Sequence, residues 1–274
     1  MRNSSHSEDQ KVTAAFTENK ISTNDGGNCR GYIAVVGIGP GHAAELTPRA
    51  HDAIRDAEIV VGYHTYMKLI DDLISDKEQV GTGMKQEVDR CQRAVELASQ
   101  GKRVVVVSSG DPGVYGMAGL VLELIDKLPA QAHPDCEIIP GLTAGNTAGA
   151  ILGAPLMHDY AVISLSDLLT PWDLIKKRAR LAGEGDFVIV LYNPRSRGRA
   201  KHLDEICDIL LTIKDPQTPA GIVRKAGRAG MSYTITTLAE LAAQDVDMQS
   251  TVIIGNSRTF VKNGRMITPR GYEL

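Results

Sequence analysis

RVVVVSSGDPGVYG, residues 103–116, is the stretch that decides the fold. Its four consecutive valines form a strand buried on both faces, because a strand with one wet face would alternate apolar and polar residues. The run stops at Ser108, Ser109, Gly110, Asp111, Pro112 and Gly113, a set of small and turn-forming residues. In an open α/β sheet, a buried parallel strand that ends this way meets a small molecule at its carboxyl end. Gly110 and Gly113 let a ligand come close to the backbone, and Pro112 stiffens the turn. Asp111 places a carboxylate at the pocket edge, which suits hydroxyls, an amine or a positive charge and does not suit a phosphate.

On either side the same grammar repeats. Residues 32–36 form a strand that ends in Gly37-Ile38-Gly39-Pro40-Gly41, and Thr47 then caps a helix with Pro48 at its first position. A second strand covers 58–61, helices lie near 65–74, 86–100 and 117–127, and a short strand at 136–139 ends in Pro140-Gly141. Thr143 opens a helix of small residues, TAGNTAGAIL. The alternation predicts a mainly parallel α/β sheet, whose three loops GIGPG, SSGDPG and PGLTAG open on one edge and share one cleft.

Residues 153–159, GAPLMHD, read as a linker, after which the pattern restarts. Strands are predicted at 161–165, 187–191 and 221–224, with helices at 172–181 and 199–213. Segments 232–236, 251–255 and 259–266 form an antiparallel region with Asn263-Gly264 as a hairpin turn. The expected organisation is an N-terminal α/β domain over 31–155 and a mixed α/β domain over 156–274. A polar, disordered extension over 1–30 lies outside the fold and lacks the apolar core of a secretory signal.

The chain has 274 residues, 43% hydrophobic and 23% charged, which is ordinary globular composition with room for two modest domains. A net charge of −3 supplies no global field toward nucleic acid or a membrane, and no apolar run is long enough to span a bilayer. The four cysteines, Cys29, Cys91, Cys136 and Cys207, share no metal-ligand spacing, and neither do the seven histidines. No metal site is predicted, and the chain reads as cytoplasmic with reduced thiols.

VGIGPG invites a dinucleotide-binding reading but does not sustain it. Position 42 is His42 rather than the third glycine, Pro40 removes a backbone donor, and the second strand ends Val61-Gly62-Tyr63 without an acidic residue. Two loops in the second half, NPRSRGRAK (193–201) and RKAGR (224–228), place seven cations at strand ends. Arginine forks there suit the carboxylates of a polyanion, with Arg195, Arg197 and Arg224 as the candidate contacts. Only 4% of residues are aromatic, which disfavours a base-stacking surface. Asp167 and His158, the histidine in the linker, are the candidate proton carriers.

VGIGPG (36–41), SSGDPGVYG (108–116) and PGLTA (140–144) occur in this order and spacing in the tetrapyrrole methylase family, and the chain resembles that family from residue 32 to about residue 268. These are S-adenosylmethionine-dependent methyltransferases of the cobalamin and sirohaem pathways. VVGYHTYMKLI (60–70), SLSDLLTPW (164–172), LYNPRSRGR (191–199), GIVRKAGR (221–228) and TVIIGNSRT (251–259) narrow the resemblance to the branch that methylates carbon 17 of precorrin-3B and contracts the ring to precorrin-4. The resemblance implies a two-domain fold with the donor folded between the domains. It places Pro40, Ser109, Gly110, Asp111, Val114, Thr143, Ala144, Asn193, Ala226 and Thr251 around S-adenosylmethionine, and it implies a homodimer. Three alternatives stay open: the cobalt-containing counterpart, cobalt-factor III, as substrate; a tetrapyrrole-binding protein without catalysis; and a ribosomal-RNA ribose methyltransferase sharing the donor loops.

Overall fold

A computed structural model describes residues 30–83 and 85–273. The extension expected over 1–30 therefore lies, but for Arg30, outside the described residues. The first half runs β1 (Tyr32–Gly37), α1 (Pro48–Asp56), β2 (Ile59–Tyr63), the short helices α2 (His64–Met67) and α3 (Asp71–Ile74), β3 (Glu78–Thr82), α4 (Glu87–Ser99), β4 (Arg103–Ser108), α5 (Ala118–Asp126), β5 (Asp135–Ile139) and α6 (Ala144–Leu152). Its strands form one sheet in the order β3-β2-β4-β1-β5, and every pairing is parallel.

The valine run is the centre of this sheet. Val104 to Val107 are all fully buried. Successive strand residues point to opposite faces, so Val104 and Val106 join the core under α4 and α5, while Val105 and Val107 join the core under α1 and the segment that carries Met67 and Ile70. Each such valine contributes about 1.5–3 kcal/mol of burial, which is why the run is continuous rather than alternating.

The second half runs β6 (Gly153–Ala154), β7 (Tyr160–Ser164), α7 (Trp172–Glu184), β8 (Val188–Tyr192), α8 (His202–Leu211), β9 (Pro219–Arg224), β10 (Ser232–Thr237), α9 (Leu238–Leu241), β11 (Ser250–Ile254), β12 (Phe260–Lys262) and β13 (Arg265–Ile267). The main sheet has the order β10-β9-β11-β8-β7, with β7 and β8 parallel and the other pairs antiparallel. The α/β class and the mixed second sheet expected from the sequence are those observed.

Helix α6 joins the halves. It starts at the end of the first sheet, where the Thr143 hydroxyl accepts from Asn146 N–H and caps it. It then packs Ala148 and Leu152 against Val188, Val190, Val223 and Ile253 of the second sheet. The small residues of TAGNTAGAIL serve this contact, since a Cβ on Gly145 would stand 3.0 Å from Tyr192 Oη and 3.2 Å from the Val190 side chain. A Cβ on Gly221 in β9 would lie 2.4 Å from the Leu152 side chain, so helix and sheet meet at glycine distance.

The structure differs from the sequence reading at β3, at the helix expected over 65–74, at the start of the linker and at α9, a four-residue helix in a stretch with no expected element. Strand β3, with the sequence EQVGT, was not anticipated, because it is a polar edge strand paired only with β2 and carries no apolar alternation. The helix expected over 65–74 is broken into α2, a 3₁₀ turn at Lys68–Ile70 and α3. The linker at 153–159 begins with β6, which pairs with β13 of the C-terminal hairpin. A strand of two residues leaves no period to read. The hairpin turn itself has Asn263 at φ 52° and Gly264 at φ 70°, as an Asn-Gly turn of this kind requires.

The ends of β1, β4 and β5 meet without room for a side chain. A Cβ on Gly141 would stand 2.2 Å from the Gly110 carbonyl oxygen. Gly141→Ala is expected to cost about 1–3 kcal/mol, read as a lowered denaturant midpoint. Gly119→Ala in α5, where a Cβ meets nothing within 4 Å, is the control and leaves the midpoint unchanged or slightly higher.

Candidate functional site

A cavity of about 430 Å³ lies where the loops after β1, β4 and β5 face the second half. Two backbone hydrogen bonds tie the first two loops together, Gly39 N–H to Gly110 O at 3.1 Å and Gly110 N–H to Gly39 O at 2.8 Å. Asp111 ties the second to the third. Its Oδ1 accepts from Gly113 N–H at 2.8 Å and its Oδ2 from Gly141 N–H at 3.0 Å. The acid expected to serve a ligand thus also clamps two loops, with one lone pair of each oxygen already used. Gly110 adopts φ +69°, which strains any other residue, and a Cβ there would meet no atom closer than 4.0 Å. The missing side chain leaves a cradle in the cavity wall.

The second half closes the opposite wall. Tyr192, at the end of β8, accepts from Gly145 N–H at 2.7 Å, and burial raises its pKa. Tyr115 reaches across from the first half. Its hydroxyl donates to Val162 O and accepts from Ser164 N–H, both at 3.1 Å, and its ring meets Tyr192 edge-on at 5.9 Å. Asn193 donates from Nδ2 to Ser164 Oγ at 2.9 Å. Tyr115 (φ 54°), Asn193 (φ 52°) and Lys225 (φ 52°) all hold left-handed backbone, and all three line the cavity. Such residues are uncommon and concentrate at working sites.

Arg228 spans the two halves. Its Nε donates to Pro40 O at 2.5 Å and its Nη2 to Ser109 Oγ at 2.8 Å. Burial lowers its pKa, and Tyr66 beside it counteracts this in part. Arg228 and Lys225 both stand in the RKAGR motif, yet the motif points to Arg224 rather than to them. Which cation of a basic run faces inward depends on its position after the strand end, and spacing alone does not give that.

All ten residues assigned to the donor by resemblance line this cavity: Pro40, Ser109, Gly110, Asp111, Val114, Thr143, Ala144, Asn193, Ala226 and Thr251. The three arginines assigned to the substrate do not. Arg195 is paired with Asp204 and donates to Ala242 O at 3.0 Å. Arg224 is paired with Asp245 at 3.1 Å and Asp247 at 2.7 Å. Arg197 is exposed on the loop after β8. The acid that occupies Arg195 comes from α8, nine residues on, and those that occupy Arg224 come from the segment before β11. The candidate proton carriers also lie off the lining. The Asp167 carboxylate bonds His202 Nε2 at 3.1 Å, which holds its pKa below the usual carboxylate range. His158 is exposed beside Asp159, at 3.7 Å. Among the described residues no group of three or more His, Cys, Asp or Glu could hold a metal, and no helix is long and apolar enough to cross a membrane.

Residues 32–242 match the profile of the Tetrapyrrole (Corrin/Porphyrin) Methylases. The chain belongs to this family. It is 53% identical over 242 residues to a probable cobalt-factor III C(17)-methyltransferase of Salmonella typhimurium, covering 88% of this chain and 100% of that protein. It is 40% identical to a precorrin-3B C(17)-methyltransferase of a Sinorhizobium species, covering 88% of this chain and 97% of that one. The crystal structure of the methyltransferase CobJ superposes with a TM-score of 0.83 at 36% identity, covering 87% of this chain and 100% of that one. A Thermus thermophilus uroporphyrin-III C-methyl transferase complexed with S-adenyl homocysteine shares the fold, with a TM-score of 0.63 at 23% identity over 82% of this chain and 97% of that one.

In this fold Arg228 holds two of the cavity loops from the opposite half. Hydrogen bonds to a charged group contribute about 1.5–3 kcal/mol each. Arg228→Ala is expected to speed amide exchange at residues 38–41 and 109–111 by roughly ten-fold or more, with exchange in α7 and α8 unchanged. Exchange-coupled mass spectrometry reads both regions in one experiment.

Proposed function

We propose that this protein transfers a methyl group from S-adenosylmethionine to carbon 17 of a precorrin-3-stage tetrapyrrole, the methylation that triggers ring contraction. One observation carries the reading: a single cavity gathers three glycine-bearing strand ends and the second-half residues Asn193, Ala226 and Thr251. Its volume lies within the small-molecule range. The cradle at Gly110 admits a compact ligand against backbone. Val114, Ala144 and Ala226 offer apolar contact, and the remaining lone pairs of Asp111 suit the donor's amine and hydroxyls. When bound, the donor supplies an electrophilic methyl group on sulfur.

The work left to the protein is mostly placement, which lowers such a barrier by about 7–11 kcal/mol when reacting atoms are held in line. In this reading Lys225 and Arg228 receive acetate and propionate groups at the cavity wall, and Arg197 does so at its rim. Arg195 and Arg224, already ion-paired, stiffen the loops behind them. Burial raises the pKa of Tyr66, so its phenol keeps its proton near neutral pH and can donate a hydrogen bond. The reading includes a homodimer in the cytoplasm, with working domains at 31–155 and 156–274, as family likeness suggests.

The metal state of the substrate divides the reading. Identities of 53%, 46% and 44% to three proteins named as cobalt-factor III methyltransferases, against 40% to one named for precorrin-3B, favour the cobalt-bearing substrate. The chain spans 46% of the Priestia megaterium protein among them. In that case cobalt arrives with the substrate.

The test offers isotope-labelled S-adenosylmethionine with precorrin-3B and cobalt-factor III in parallel, followed by mass and absorbance. A labelled, ring-contracted product is expected from one of them, preferentially cobalt-factor III. Donor binding without transfer to either substrate overturns the carbon-17 reading, and absence of donor binding overturns methyl transfer altogether.

A further inference from the structure

The loop between β7 and α7, residues 165–171, carries two neighbouring leucines in water. Leu168 is 62% exposed and Leu169 is 93% exposed. Single apolar residues on a surface need no explanation. A pair at the tip of a fixed loop beside a cavity does.

The loop is fixed at both ends. At its start, Leu165 N–H donates to Tyr192 O at 2.9 Å, and Ser164 is bonded to both Tyr115 and Asn193. Tyr192, Tyr115 and Asn193 all line the cavity, so the loop leaves the sheet directly at the cavity wall. At its middle, Asp167 bonds His202. The His202 ring packs on Trp172 at 4.0 Å, and Trp172 Nε1 donates to Glu205 at 2.8 Å. The tip therefore stands on a hydrogen-bonded and stacked base. The ordering cost of a flexible loop is already met, as it is in a preformed binding surface.

The surroundings of the tip are mixed in character. Arg199, on the neighbouring loop, is close enough to help lower the Asp167 pKa, and its Nη2 lies 3.1 Å from Met248 Sδ at the cavity wall. Arg197 is exposed on the same loop. Val114, Tyr115 and Met248 add exposed apolar surface along the lining. Exposed apolar surface of the cavity lining thus has a cationic loop beside it, joined to it at the Arg199–Met248 contact.

We infer that Leu168 and Leu169 form a platform for the flat apolar face of the tetrapyrrole, whose peripheral carboxylates are taken by the adjoining cations. A flat macrocycle with a carboxylate rim matches this juxtaposition, whereas the donor is assigned to the cavity lining itself, to which neither leucine belongs. The inference rests on the functional reading above, and the loop is then a substrate-positioning element without a part in donor binding.

The test is the double substitution Leu168→Ser/Leu169→Ser in the full chain, with Leu122→Ser, exposed on α5, as control. Three quantities are measured: S-adenosylhomocysteine affinity by calorimetry, tetrapyrrole affinity by absorbance titration with cobalt-factor III, and particle mass by sedimentation. Because both leucines are exposed, the thermal midpoint stays near that of the parent. The expected result is a tetrapyrrole dissociation constant raised roughly ten-fold or more, with donor affinity and mass unchanged and the control like the parent. Unchanged tetrapyrrole affinity overturns the platform. A loss of mass with tetrapyrrole affinity retained also overturns it and assigns the leucines to contact with a second copy of the chain. A parent protein that binds the donor but not the tetrapyrrole overturns the functional reading instead.

Discussion

The site depends on the close approach of three strand ends. Gly37 and Gly141 sit so near each other and the Gly110 carbonyl that neither has space for a methyl group, whereas the side-chain position of Gly110 is open. The paired bonds between Gly39 and Gly110 and the two bonds accepted by Asp111 hold them there. Loops that carry binding residues are usually the mobile part of a fold. Here they are cross-linked to one another by backbone and carboxylate, so the cavity floor carries hydrogen bonds of its own. Buried backbone groups must be paired, and pairing loop to loop meets that need while leaving the cavity side of Gly110 bare.

The second constraint is that the two halves are not free to part at this edge. Helix α6 begins in the first half's third loop and ends packed on the second half's sheet. Tyr115 binds the exposed edge of β7, and Arg228 returns from β9 to the first two loops. These links run in both directions across the cavity. A ligand held by residues of both halves meets walls whose separation is already set, and preset separation is what in-line transfer demands.

Much of this was legible in the sequence, and the reasons differ by element. The valine run announced β4, because only a strand covered on both faces stays apolar without alternation. The glycines of the three loops announced the cavity, because small residues after buried strands have few other uses. Strand β3 was invisible: EQVGT is an edge strand whose order comes from pairing with β2 rather than from its own pattern. The basic loops were seen, but their inner and outer members were not distinguished. Arg195 and Arg224 are neutralised by Asp204, Asp245 and Asp247, whereas Arg228 turns inward after the Lys225 bend. Periodicity reports which face of an element is buried. It says nothing of which acid meets which base, since that follows only from the packed sheets.

Backbone strain carries the last step. Tyr115, Asn193 and Lys225 hold a conformation that glycine would adopt without penalty, and each instead retains a side chain that is in use. Tyr115 binds the edge of β7, Asn193 holds Ser164 at the foot of the leucine loop, and Lys225 faces the cavity. Left-handed backbone at a residue other than glycine costs of order 1–3 kcal/mol, so three such sites around one cavity are a sizeable stored cost in a fold of ordinary stability. A glycine at any of them would relieve the strain and lose the side chain. Asp186 and Asn263 hold the same conformation in turns away from the cavity, but at Tyr115, from the first half, and at Asn193 and Lys225, from the second, the structure keeps a working side chain where a relaxed turn would lose it, so both walls of the cavity are shaped for the contacts these side chains make.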